Sequence, residues 1–147
     1  IDPEKEIRFI KFGDYGMDLY SNAIIVSRKF AKESPDAVKG FLKALNRGVK
    51  DAMADPKAAI EAVQKREPLI KPEIERARLE ATLSDEMTSP EISKIGHGDI
   101  NDERMSKAID ILVSAKELPR TPKVGDVFDR SFMPPLADRP TAIKAAM

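Results

Sequence analysis

Ser34-Pro35-Asp36, followed by Val38, Phe41, Leu42, Leu45, Val49 and Met53, constrains the fold more than any other feature of the chain. A serine before a helix accepts hydrogen bonds from first-turn amides. Proline suits the first helical position because its missing N–H had no partner there, and an acid beside it is favoured by the helix dipole. The apolar residues recur at three and four, so they line one face, and burying each large one is worth about 1.5–3 kcal/mol. The spacing predicts a continuous helix over 35–54 with Val38, Phe41, Leu42, Leu45 and Val49 inward. Such a stripe needs something apolar laid against it.

More helices are expected after it. Asp55-Pro56 repeats the cap-then-proline signal and opens a helix through Ala59, Ile60 and Val63 that Pro68 ends. Pro72 begins another, with Ile74, Ala77, Ala81 and Leu83 inward and Glu73, Glu75, Arg76, Arg78 and Glu80 outside. Thr88 and Glu91 match a capping box for a short helix that stops before Gly96, and Asn101 caps a last amphipathic helix on Met105, Ala108, Ile109, Leu112 and Val113. From Pro119 prolines break the chain, leaving Val124, Val127, Phe128, Phe132 and Met133 to pack against the helices. Strand signals are confined to the start: the β-branched and aromatic run at 7–12, and the continuous apolar run Ala23-Ile24-Ile25-Val26.

A chain of 147 residues can bury about 70% of the surface its unfolded form exposes, enough for one real core. Its 25 basic and 25 acidic side chains cancel, which removes the general electrostatic pull that nucleic-acid binders rely on, so no nucleic-acid partner is expected. No apolar run approaches the ~18 residues of a membrane-spanning helix. The opening Ile1-Asp2-Pro3 in place of methionine reads as a processed or truncated product. With no cysteine, disulfides, thiolate metal sites and cysteine nucleophiles are excluded.

Residues 13–27, GDYGMDLYSNAIIVS, concentrate the chemistry: both tyrosines of the chain, two aspartates and two glycines stand directly before an apolar run. Tyrosine offers a flat apolar face with a polar tip, aspartate and asparagine offer hydrogen-bonding groups, and glycine admits close backbone approach. That mixture suits a small-molecule cleft; its plainer reading is a loop with tyrosines tucked onto the core. Asp14 and Asp18 also make a possible acid–base pair, though nothing in the sequence marks a perturbed pKa. His97 between Gly96 and Gly98 is the single histidine, with no companion to complete a metal shell, and an ordinary turn is its favoured reading. The charge run from Glu73 to Glu80 reads as a solvated helix face supported by (i, i+4) neighbours rather than a partner surface.

The stretch DYGMDLYSNAIIVSRKFAKESPDAVKGFLKALNRGVKDAMADPKAAIEAV resembles a segment of the SsuA/Thi5-like, or NMT1-like, solute-binding proteins that reads approximately DYGVDLYGNGLIAS, followed by a helix and an aspartate-proline turn. TSPEISKIGHGDINDERMSKAIDILVSA is similar to that family's later TPE, GLG and DPERW-type elements, and VGDVFDRSFMPP to its closing DLYTNEFLP stretch. The resemblance implies an α/β chain, the C-terminal part of a two-lobed periplasmic-binding-protein type II fold, mostly helical in this portion. Residues 1–26 would end the second lobe and form the hinge crossover, and residues 27–147 would be the helical part packing on the first lobe, together one incomplete domain. It further implies the extracytoplasmic component of an ABC importer of the nitrate, sulfonate, taurine or thiamine-precursor class. Such a protein is periplasmic or otherwise extracytoplasmic, with or without a lipid anchor, is not an enzyme and needs no cofactor or metal. Its partners are a small-molecule ligand, the membrane permease and the N-terminal part of the same protein.

On that reading Tyr20, Tyr15, Asp14, Asn22 and Asp18 bind the ligand. Asp18, Tyr20 and Asn22 share one side of an extended segment while Leu19 and Ser21 point to the other, and Gly13 and Gly16 can absorb a hinge motion. His97 stands where the family often has an apolar residue, and Ser21 where glycine is common. Two rival classes remain: a thiamine-pyrimidine-synthase-like enzyme, to which a chain with one histidine and no cysteine lends little, and a stand-alone helical interaction module.

Overall fold

The computed structural model describes residues 7–8, 10–20 and 22–144 and is mostly helical. Its contacts divide the chain into two compact units, one of Ile1–Ile24 with Ile100–Phe128 and one of Ile25–Asp99 with Asp129–Met147.

The larger unit is built on the helix the sequence marks most strongly. A short α1 (Arg28–Glu33) is capped by the Ser27 hydroxyl, which accepts from the Phe30 N–H at 3.1 Å. Then α2 runs over Pro35–Ala54, the predicted span. Ser34 makes no side-chain cap here, because it also ends α1, its N–H donating to the Phe30 carbonyl. Val38 is buried and Leu42, Leu45 and Val49 are half-buried, but Phe41, expected inward, is 55% exposed. Asn46 takes a buried place instead, its amide nitrogen donating to the Leu42 carbonyl at 2.9 Å. At α3 (Pro56–Arg66) Asp55 does cap, accepting from the Ala58 N–H at 2.9 Å, and Ile60 is buried. Lys65 and Arg66 end this helix, where its dipole favours cations.

Of the predicted inward set of α4 (Pro72–Ala81) and its continuation, the structure buries Leu83 alone. Ile74, Ala77 and Ala81 are exposed, and the half-buried row is Glu75 and Leu79, leading to Leu83. A π-turn over Thr82–Glu86 continues the helix, its Met87 N–H donating to the Thr82 carbonyl, and holds Leu83 at 2% exposure. Leu83, Ile92 and Ile143 form the core, with Val49, Met53, Leu79 and Met87 packed around them. Ile143 comes from the far end of the described chain, a contribution the helical periodicities do not announce. The charge run is a solvated face except at Glu75, expected outside but with a side chain only 22% exposed: Arg76 pairs with Glu80 at 2.9 Å and Arg78 with Glu75 at 2.6 Å.

The short α5 (Ile92–Ile95) starts without the predicted capping box, since Glu91 holds the cap position and no side-chain cap bond forms. It ends at Gly96, whose φ of 74° only glycine adopts readily; a Cβ there would stand 2.8 Å from Leu136 Cδ1. The tail after Asp129 is fastened to this turn. Asp99 accepts from Arg130 Nε at 2.8 Å and from Arg139 Nη1 at 3.1 Å, and the His97 N–H donates to the Pro140 carbonyl at 2.7 Å.

The smaller unit joins the described part of the N-terminal segment to α6 (Asp102–Ala115) and α7 (Val124–Val127). As predicted, Asn101 caps α6, accepting from the Arg104 N–H at 2.9 Å, and Ala108 and Ile109 are buried; Ile100, before the cap, is buried as well. Met105 and Val113 are half-buried, while Leu112 is exposed. Phe12–Tyr15 is a turn of 3-10 helix closed by Gly16 at φ 85°.

Neither predicted strand is present among the described residues. Phe9, within the first, lies outside them, as do Ile1-Asp2-Pro3 and Ser21. Residues 22–26 have no regular structure and Ile25 is 91% exposed. A strand exists only with a partner to take its backbone hydrogen bonds, and none is found among the described residues. Likewise no helix among them is long and apolar enough to cross a membrane.

Candidate functional site: a tyrosine held by a helix start

Two of the five candidate ligand residues meet at the start of α6. The Tyr20 hydroxyl accepts from the Asn101 backbone N–H at 2.8 Å, and the Arg104 guanidinium lies 4.3 Å from the centre of the Tyr20 ring. Arg104 Nη2 also donates to Asp18 Oδ1 at 2.6 Å. Asp18 and Tyr20, two residues apart, thus reach one arginine from one side of their segment, as alternation predicts.

The local sequence explains why this helix start does the gripping. Asn101 spends its side chain on the Arg104 N–H, which closes the first turn, and that leaves its own backbone N–H pointing outward to Tyr20. Arg104 stands one turn into the helix, so its long side chain reaches back over the same end. A planar guanidinium suits this place, since it stacks on a ring face while donating to a carboxylate. Neither Asn101 nor Arg104 is marked by its sequence neighbours as a site residue; 86 positions separate Arg104 from Asp18. A polar helix start following a turn was the available signal, and by itself it indicates only a cap.

The other three candidates are placed differently. Asp14 and Tyr15 lie in the 3-10 turn, with Tyr15 74% exposed, and Asn22 is exposed beyond Tyr20. The structure therefore gathers Asp18 and Tyr20 with Arg104 and leaves Asp14, Tyr15 and Asn22 on the surface of their unit.

The larger unit carries its own polar features. His97 Nδ1 stands 3.3 Å from Asn46 Oδ1. Because the Asn46 amide nitrogen faces the Leu42 carbonyl, its oxygen faces the ring, and His97 Nδ1 is the donor. Burial lowers the His97 pKa from its ordinary value. A groove of about 290 Å³ lies between Lys39, Gly40 and Lys43 of α2 and the Phe132–Pro135 stretch with Asp138. No group of three or more metal-ligating side chains occurs among the described residues.

Residues 2–59 match the family model described as NMT1/THI5 like. No curated protein and no solved structure matches the chain. The matched span includes Asp14, Tyr15, Asp18, Tyr20 and Asn22 together with all of α2, so the chain carries an NMT1/THI5-like segment over the stretch that holds every candidate ligand residue.

Proposed function

We propose that this protein is the solute-binding component of an ABC importer of the nitrate, sulfonate, taurine or thiamine-precursor class. It holds a small organic molecule between two lobes and delivers it unaltered to a membrane permease. The observation that carries this reading is the family match over residues 2–59, within which both tyrosines sit beside carboxylates and glycines. Exposed apolar surface supports the two-lobed arrangement: Phe12 in the smaller unit and Ile25, Phe41 and Leu69 in the larger are more than half exposed, which a lobe supplied by the rest of the protein would cover. On this reading the protein acts outside the cytoplasm, and Tyr20, Tyr15, Asp14, Asn22 and Asp18 contribute to the ligand site.

The test is native mass spectrometry of the protein purified without added ligand, then recovery of the released molecule after prolonged incubation with the protein. A single small molecule bound in stoichiometric amount and recovered unchanged is expected. Its conversion to another compound would replace the transport reading with the thiamine-pyrimidine-synthase-like one.

A further inference from the structure

The start of α6 contacts both the ring and the hydroxyl of Tyr20. The Asn101 N–H fixes the hydroxyl at 2.8 Å, and Arg104 covers a ring face at 4.3 Å while anchored to Asp18 at 2.6 Å. A tyrosine turns about two side-chain bonds, so fixing its tip and a face together leaves one ring posture. The arginine itself is held at both ends: its N–H by the Asn101 side chain and its guanidinium by Asp18. Its side chain is 22% exposed, against 66% for Asp18, so the guanidinium is sheltered while the carboxylate reaches water.

We propose that Arg104 is a positioning residue for ligand recognition, setting the posture of the Tyr20 ring through stacking and the Asp18 anchor. The proposal rests on the reading that Tyr20 lines the ligand site, and it assigns α6 a part in binding that neither the family match nor the sequence pattern gives it. A ring already fixed in its working posture spares the binding step the loss of its rotational freedom. Lysine cannot replace the arginine, because an ammonium keeps the ion pair to Asp18 but has no plane to stack on the ring.

The experiment compares wild type, Arg104→Lys, Arg104→Met and Tyr20→Ala in the whole protein. Tyrosine ring resonances report posture, with the Tyr20 signals identified by their loss in Tyr20→Phe. Nitrate, taurine and an aminopyrimidine serve as binding probes, and thermal midpoints report the fold. Arg104→Lys is expected to keep its midpoint near wild type, yet shift the Tyr20 ring signals and bind the responding probe roughly tenfold more weakly, as Arg104→Met does. Wild-type ring signals or wild-type affinity in folded Arg104→Lys would overturn the proposal, making Arg104 a structural ion-pair partner. Weakened binding in Tyr20→Ala beside unchanged binding in Arg104→Lys overturns the positioning role alone. If Tyr20→Ala binds the responding probe as wild type does, the ligand role of Tyr20 falls and the proposal with it.

Discussion

Gly96 and His97 are neighbours whose roles can be separated by experiment. At Gly96 a methyl group meets both a positive φ and the Leu136 side chain at 2.8 Å, so Gly96→Ala should destabilise the protein by about 1–3 kcal/mol. Urea unfolding reads this as a lower midpoint; at Gly13, where a Cβ would meet nothing within 4 Å, the same change should be nearly silent. His97 predicts a pH effect instead. Its folded pKa lies below the ordinary 6.5 because burial disfavours the cation, so above 6.5 both states are neutral and nothing is lost. Below 6.5 the unfolded chain takes the proton first, and stability falls. Thermal midpoints of wild type should therefore drop below pH 6.5 relative to those of His97→Gln, and parallel curves would contradict this. At this scale the sequence was informative about kinds of residue and silent about distant partners. The i, i+2 relation of Asp18 and Tyr20 could be read from their spacing, whereas Arg104 and Asn46 take their places through contacts between positions far apart in the chain.

Among the elements, the span of α2 was legible because proline, acid and apolar stripe all agree, although Ser34 makes no side-chain cap. Its Phe41 was misplaced because three-and-four spacing defines a broad face, and only its middle is covered among the described residues. For α4 the apolar residues are too few and small to select a face. The π-turn then carries Leu83 into the core, the one member of the expected inward set that is buried. Leu83→Ala should cost about 2–5 kcal/mol, while Ile74→Ala, on the face predicted inward but 43% exposed, should cost less than about 1 kcal/mol. Reversed magnitudes in chemical denaturation would restore the predicted face. The caps differ in the same testable way. Asp55→Ala removes a formed hydrogen bond and should cost about 1 kcal/mol, whereas Ser34→Ala removes none and should cost little.

For the whole molecule, the helices were legible because each is built from local contacts, and two strands were expected that the described residues do not form, because a strand depends on a partner that its own residues do not specify. The resemblance first seen in the DYGMDLY stretch is matched by the family model over residues 2–59, which holds Asp18 and Tyr20, while Asn101 and Arg104 lie outside that span. The central claim is that the protein holds a small molecule against Tyr20. Titration calorimetry of the whole protein with its co-purifying molecule, wild type against Tyr20→Ala, tests this most directly. The account predicts a folded variant that binds about tenfold to a hundredfold more weakly, the loss of one aromatic wall. Equal affinity in a folded Tyr20→Ala protein would contradict it.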